Sequence, residues 1–193
     1  GTAAGPLGIE NSLAWRTSEW TLQEAATIAI PYFDGNRRPM PYVLLKHNES
    51  GRYAWFANFH NPATNPKRGN NDRWRAIATT IEIELAQRLR AETGYPVFIT
   101  GDMNEREEYF CRLTGGAAMI AANGGSNIGG ACNPPPYPMP VDWIFGSDMV
   151  TFASYYRDES PYVRRTTDHP MIVAQAILDE RDGAPAPADE PAD

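Results

Sequence analysis

The sequence has no apolar run long enough to cross a bilayer, so it predicts no transmembrane segment. It also lacks the charged and then apolar N-terminal stretch that marks an export signal. The chain starts at Gly1 and not at Met, as a processed product or a fragment would. The missing signal therefore says little about export.

An excess of basic residues is absent as well. The chain has 17 Lys and Arg residues and 24 Asp and Glu residues, which gives a formal net charge of -7 at pH 7. Nucleic-acid binding driven by overall charge is therefore not expected. Local basic clusters exist, for example Lys67, Arg68, Arg73 and Arg75, but such clusters more often form a solvated face.

Cysteine is scarce, with only Cys111 and Cys132 in the chain. The two allow a single disulfide in an oxidising compartment, and two unpaired thiols are the alternative. Proline and glycine are plentiful, at 17 and 16 residues, and predict many loops and short strands.

Composition predicts one globular domain with flanking segments. The 193 residues are 42% apolar and 11% aromatic, enough for a substantial core. Residues 1–10 are small and Gly-rich and predict a flexible lead-in. Residues 11–178 form the domain, and residues 179–193, rich in Ala, Pro and acid, predict a disordered tail.

The stretch 95–104, YPVFITGDMN, is typical of a buried strand that ends in polar residues. Before it, residues 71–93 place apolar side chains on one stripe of a long helix, and residues 52–60 form a strand with two apolar faces. Strand, helix and strand in this order predict a crossover packed on a sheet face. Residues 114–140, rich in Gly and Pro, predict a long irregular loop.

Polar side chains with catalytic chemistry stand at the ends of several predicted strands. They are His60, Asp102 and Asn104 of GDMN, Asp142 of DWIF, and Asp168 and His169 of TDHP. Each alone has a plain structural interpretation, such as a turn, a strand cap or a hydrogen-bonded histidine. An Asp within an apolar strand, however, needs a partner, because an unpaired buried carboxylate is costly.

The order and spacing of these motifs resemble the endonuclease/exonuclease/phosphatase superfamily, whose members are similar to deoxyribonuclease I. In that family a His ends one strand, GDxN follows the next strand, a DxI strand comes later, and SDH or TDH precedes the last strand. The resemblance covers about residues 11–178. It implies an α+β fold, a four-layered α/β/β/α sandwich with two mixed sheets face to face.

The resemblance also implies catalytic roles that suit phosphoester hydrolysis. His169 would be the general base, and Asp142 would fix its tautomer. Asp102 would orient the nucleophilic water. Asn104 and His60 would contact the phosphate oxygens, with His60 also a candidate proton donor.

The same resemblance implies a metal. Asp168 would help to hold Mg²⁺, a hard cation that prefers oxygen ligands, with Mn²⁺ or Ca²⁺ as alternatives. The family's principal metal ligand, a Glu that ends an early strand, has no counterpart here. Glu24 lies too close to His60 in sequence and is predicted to be a surface residue at a strand edge. We therefore expect an N-terminally incomplete domain that binds metal weakly, exposes apolar sheet surface and has low activity.

Deoxyribonuclease I carries a disulfide in the region between its GDxN motif and its later Asp. By resemblance we expect a Cys111–Cys132 bond, and hence an extracellular, secreted protein. On the chain-entropy model such a bond stabilises the fold by roughly 3 kcal/mol.

The function expected of the intact protein is Mg²⁺-dependent phosphoester hydrolysis, and a nuclease-type phosphodiesterase acting on DNA or RNA is the leading subtype. Phosphatase action on a lipid or sugar phosphate is an alternative, because the family's substrate choice lies in variable loops such as 114–140. A non-catalytic binding module on the same fold is the alternative from another class. The sequence does not give the oligomeric state.

Overall fold

The structure, a computed structural model, describes residues 2–4 and 11–178. Its strands, in chain order, are β1 (Thr2–Ala4), β2 (Ser12–Ala14), β3 (Trp20–Pro31), β4 (Arg37–His47), β5 (Tyr53–His60), β6 (Val97–Asp102), β7 (Met119–Ala121), β8 (Ser126–Ile128), β9 (Ala131–Asn133), β10 (Asp142–Ser147), β11 (Val150–Asp158) and β12 (Met171–Leu178). The α-helices are α1 (Asp72–Thr93) and α2 (Glu107–Ala117). Short 3-10 turns span Phe33–Gly35 and Val163–Arg165.

A mixed six-stranded sheet forms the centre, in the order β3-β4-β5-β6-β10-β7. Strands β5 and β6 pair in parallel, and the other neighbours are antiparallel. A parallel pair needs a long crossover, and α1 supplies it. The crossover predicted from residues 52–100 is therefore confirmed, and the sheet with its helices fits the predicted α+β class.

The two faces of the sheet pack against different layers. Trp55, Ala57 and Phe59 of β5 belong to the main core, which α1 and α2 cover. Ala54 on the opposite face joins Phe98 and Val150 in a second cluster, under the β11–β12 hairpin. Alternate side chains of a strand point to opposite faces, so the apolar alternation in β5 predicts this two-sided burial.

Several predicted segments differ from the structure. Part of the lead-in, Thr2–Ala4, pairs antiparallel with β2, while 5–10 and the tail 179–193 lie outside the described residues. The predicted irregular loop 114–140 contains β7 at the sheet edge and the small β8–β9 hairpin. Strands of three residues are too short for a periodic signal, which is why the pattern missed them. No helix within the described ranges is long and apolar enough to span a membrane.

Gly101 of β6 pairs with Phe59 of β5 and lies against its backbone. Its φ is +139°, and a Cβ built there would lie 1.9 Å from the carbonyl oxygen of Phe59. No side chain fits, because the obstacle is the backbone of Phe59 on β5, which cannot turn aside as a flexible side chain could. The glycine of GDMN is therefore required by the pairing that brings His60 level with Asp102.

Gly101→Ala should lower the free energy of unfolding by about 2–4 kcal/mol, since both backbone strain and a steric clash oppose it. Gly129→Ala is the matched control, because Gly129 also has positive φ, +59°, but nothing within 4 Å of its built Cβ. That variant should lose only about 1 kcal/mol. If urea unfolding gave the same loss of unfolding free energy for both variants, the close approach to Phe59 would not be what destabilises Gly101→Ala.

A disulfide joins Cys111 in α2 to Cys132 in β9, with a Cα–Cα distance of 5.5 Å. The predicted pairing is confirmed. The bond fixes the β8–β9 hairpin to α2, where the side chain of Asn127 also donates to the Cys111 carbonyl oxygen at 3.0 Å.

Replacing both cysteines by serine should lower the free energy of unfolding by about 3 kcal/mol, because the bond closes a loop with a sequence separation of 21 residues. Urea unfolding of the oxidised protein, of the reduced protein and of the double variant measures the effect. The reduced protein and the double variant should agree. Two free thiols, found by alkylation and mass spectrometry of oxidatively prepared protein, would contradict the bond.

Candidate functional site

Three neighbouring strands place polar side chains side by side at one end of the central sheet. Strand β5 ends at His60, β6 ends at Asp102, and β10 begins at Asp142. In the register, His60 pairs with Asp102, and Asp102 pairs with Asp142. Residues opposite each other on adjacent strands lie within side-chain contact, so the sheet alone brings these groups together.

His169 reaches the same place from the segment just before β12. Its Nδ1 lies 3.0 and 2.9 Å from the two carboxylate oxygens of Asp142, and 4.0 Å from Oδ2 of Asp102. Its backbone N–H donates to Oγ1 of Thr167 at 3.1 Å, which orients the turn. The hydrogen bond to Asp142 raises the pKa of His169 above its usual value, and the Asp142, Asp102 and Asp168 charges add to this.

Asp102 and Asp142 put two carboxylates close together in a half-buried place. Burial raises the pKa of Asp102, and the charge of Asp142 raises it further, although the Asn104 N–H and both histidines act in the opposite direction. Such a pair attracts a proton or a cation. Donor atoms of Asp102, Asp142 and His169 lie within 4.8 Å of one another, so this group could hold a metal ion.

Asn104 lies two residues after the end of β6, at a φ of +49°. Its backbone N–H donates to Oδ1 of Asp102 at 2.8 Å, a local turn bond that Asp commonly makes. Its side-chain Nδ2 donates to the carbonyl oxygen of Asn61 at 2.8 Å. An amide has two N–H donors and a carbonyl oxygen, so Asn104 keeps hydrogen-bonding capacity for a ligand.

His60 lies on the other side of Asp102, with its Nε2 at 3.8 Å from Oδ2 of that residue. The hydroxyl of Tyr32 is 3.4 Å from the same nitrogen, and the guanidinium of Arg38 lies 3.7 Å from the centre of the Tyr32 ring. Tyr32 is 6% exposed. Sequence reasoning missed Tyr32, because nothing in the stretch PYFDG shows which strand end the turn after β3 approaches.

Asp168 does not join the clustered group. Its side chain is exposed, on the outer side of His169, where it lines an open cavity of about 320 Å³. Arg157 and Arg164 line the same cavity, and each contacts Glu159 at 2.9 Å. These arginines were not predicted, since they lie in and after β11 with no motif around them.

Glu24 is exposed on the edge strand β3, in register with Leu44 of β4. Its prediction as a surface residue at a strand edge is confirmed. The structure therefore brings together His60, Asp102, Asn104, Asp142 and His169, with Asp168 at the rim.

Comparisons with known proteins bear on the fold. No protein-family model and no curated protein sequence matches the chain. Among solved structures, the human nocturnin catalytic domain with bound sulfate has a TM-score of 0.69 at 18% identity, covering 86% of this chain and 63% of its own. This chain therefore spans less than two thirds of that neighbour.

Two further structures are similar. An endonuclease/exonuclease/phosphatase family protein from Bacteroides thetaiotaomicron has a TM-score of 0.63 at 15% identity, covering 89% of this chain and 69% of its own. D. rerio TDP2 complexed with a single-strand DNA product has a TM-score of 0.57 at 17% identity, covering 84% and 70%. By these likenesses the chain has the fold of the endonuclease/exonuclease/phosphatase proteins, the superfamily that its motifs resemble.

Proposed function

We propose that this protein is a Mg²⁺-dependent phosphoester hydrolase, and specifically a nuclease-type phosphodiesterase acting on DNA or RNA. The observation that carries the proposal is the contact of His169 Nδ1 with Asp142, at 2.9 Å, beside the carboxylate of Asp102. A histidine held by one carboxylate next to a second is suited to activate water.

His169 acts as the general base in this proposal. Because Nδ1 faces Asp142, the ring presents Nε2 to a water molecule and takes its proton there. Asp142 holds this tautomer and stabilises the imidazolium that forms. Asp102 accepts a hydrogen bond from the same water and aims its oxygen at phosphorus.

Asn104 and His60 contact the non-bridging phosphate oxygens. The Asn104 amide has a donor in addition to the one held by Asn61. His60, with Tyr32 and Asp102 beside its Nε2, is also the candidate proton donor to the leaving oxygen. The general base His169 and the proton donor His60 thus both lie beside Asp102. An in-line displacement needs the base on the side of the attacking water and the donor on the side of the leaving oxygen.

The residues fit a hard divalent cation, since the carboxylates of Asp102 and Asp142 lie close together and partly out of water. The carboxylates of Asp102 and Asp142 would hold the ion, and Asp168, the ligand expected from the sequence, would help to hold it from the rim of the site. Mn²⁺ or Ca²⁺ are the alternatives to Mg²⁺. When bound, it would neutralise charge on the phosphate oxygens and so favour attack by water.

The cavity beside His169 favours a diester over a small monoester. Its volume of about 320 Å³ leaves room for groups on either side of the phosphate, and Arg157 and Arg164 line it, each paired with Glu159. Arginine suits phosphate because its planar fork gives two parallel hydrogen bonds. The catalytic residues of this proposal all lie within residues 11–178, the C-terminal two thirds of the expected domain. The disulfide supports an extracellular location.

The full chain with Mg²⁺ should hydrolyse a chromogenic phosphodiester and a short single-stranded DNA, at the low rate expected of an N-terminally incomplete domain. EDTA should abolish this activity, and His169→Ala should lower it by about 10²–10⁴-fold because the general base is lost. His47→Ala is the matched control, since His47 lies at the far end of β4 beside Ser50 and Trp20. It should keep full activity.

Activity that is absent, or that ignores both EDTA and His169→Ala, would favour a non-catalytic binding module. Faster hydrolysis of a sugar or lipid monophosphate than of the diesters would favour the phosphatase alternative. Each outcome separates one candidate function from the others.

The His169 imidazole should titrate with a pKa above 6.5 in metal-free protein, because the Asp142 hydrogen bond stabilises its charged form. Asp142→Asn removes the charge and should move this pKa down. The ring protons of His169, followed by NMR from pH 5 to 9, measure the shift, and His47 serves as the internal control. An unchanged His169 midpoint in Asp142→Asn would contradict the pairing.

A further inference from the structure

A buried polar cluster lies directly behind the candidate site, between α1, α2 and the end of β5. Glu82 of α1 and Tyr109 of α2 are both 0% exposed, and the Tyr109 hydroxyl donates to Oε2 of Glu82 at 2.6 Å. Asn61, the residue after His60, is also 0% exposed. Nothing in the catalytic proposal uses Glu82 or Tyr109.

The hydrogen bonding of this cluster is incomplete when Glu82 is ionised. Glu82 Oε1 and Asn61 Oδ1 are buried acceptors without a hydrogen-bond donor in the described structure. The Asn61 side chain is a neighbour of the Glu82 carboxyl, while its Nδ2 faces the sulfur of Met103 at 3.9 Å. Leaving buried acceptors unpaired costs about 1–3 kcal/mol each. A single proton on Oε1, donated to Asn61 Oδ1, would pair both.

Burial favours that proton. Burial raises the pKa of Glu82 to about 7, against the lowering effects of the Tyr109 hydrogen bond, of the neighbouring Asn61 side chain and of the Arg112 charge. Burial also raises the pKa of Tyr109, so its phenol stays a donor. Arg112 is the cation that faces Glu82 from α2; Arg75, on α1 itself, is bound to Asp72 and Glu105.

Asn61 connects the cluster to the site through its backbone. Its N–H donates to the carbonyl oxygen of Asp102 at 2.9 Å, and its own carbonyl oxygen accepts from Asn104 Nδ2 at 2.8 Å. His60 is its chain neighbour. A shift of Asn61 would therefore move both Asn104 and His60, the two residues proposed to contact the phosphate.

We propose that Glu82 is a positioning residue for the site, which in its neutral form holds Asn61 and, through Asn61, fixes Asn104 and the end of β6. When Glu82 ionises, its proton passes to water. The negative carboxylate then faces the side-chain oxygen Oδ1 of Asn61, and the repulsion loosens the position of Asn61. The consequence for catalysis rests on the proposed hydrolase function; the structural coupling does not.

The coupling can be measured by NMR on metal-free ¹³C,¹⁵N-labelled protein between pH 5 and 9. The Glu82 carboxyl carbon should titrate with a midpoint near 7, and the Asn104 side-chain amide peaks should contain a component with the same midpoint. Glu82→Gln should remove that component. Glu84→Gln, an exposed carboxyl on the same helix, should retain it.

Tyr109→Phe gives an independent check if Glu82→Gln folds poorly. Loss of the phenol donor should move the common midpoint of Glu82 and Asn104 upward, because that hydrogen bond stabilises the carboxylate. An Asn104 amide that does not follow Glu82 in the wild type, or that keeps its response in Glu82→Gln, would overturn the proposal.

Activity provides the second arm. In the wild type and in Glu84→Gln, kcat for the chromogenic phosphodiester should fall as Glu82 ionises above its midpoint, by at most about tenfold per pH unit, and Glu82→Gln should lose this alkaline fall. An alkaline fall that persists in Glu82→Gln would overturn the positioning role. If no hydrolysis occurs at any pH, the proposed function fails, and the NMR measurements still decide the coupling.

Discussion

The site depends on the lateral alignment of three strand ends. His60, Asp102 and Asp142 are adjacent because β5, β6 and β10 pair in one register, and Gly101 permits the approach of β5 to β6. A slip of one residue would turn each side chain to the opposite face of the sheet. Fixing this register is therefore the structural requirement that comes before any chemistry.

The main core enforces the register from one side. Phe59, Trp143 and Phe145 are almost fully buried against the helices, and burying each such side chain contributes roughly 1.5–3 kcal/mol. Trp143 has a second role, since its Nε1 donates to the Glu105 carbonyl oxygen at 2.9 Å and so ties the turn after Asn104 to β10. The apolar residues next to the polar ones in GDMN and DWIF thus fix the positions of the polar ones.

Sequence patterns predicted the parts of this arrangement that are local. The two-sided alternation of β5, the long amphipathic α1 and the polar ends of GDMN and DWIF can all be recognised within short windows. Tyr32 beside His60 and the Glu82–Asn61–Tyr109 cluster could not be predicted, because their partners are set by tertiary packing between elements far apart in the chain. A Glu within an amphipathic helix is ordinarily a surface residue, so its burial has no local signal.

The position of His169 depends on a different layer from that of the carboxylates. His169 enters with the β11–β12 hairpin. The contacts of this hairpin with the sheet include the small cluster around Phe98 and Val150 and a hydrogen bond from Arg52 to the Leu178 carbonyl oxygen at 2.7 Å. An apolar groove of about 240 Å³, lined in part by Phe98 and Leu178, leaves this contact incompletely packed. The carboxylates are therefore fixed by a well-packed sheet, whereas the base is fixed by a less well-packed hairpin. The His169–Asp142 hydrogen bond joins the hairpin to the sheet. Because this bond favours the protonated imidazole, protonation of His169 and docking of the hairpin on the sheet are coupled. The bond therefore stabilises the contact between hairpin and sheet as well as the position of the base.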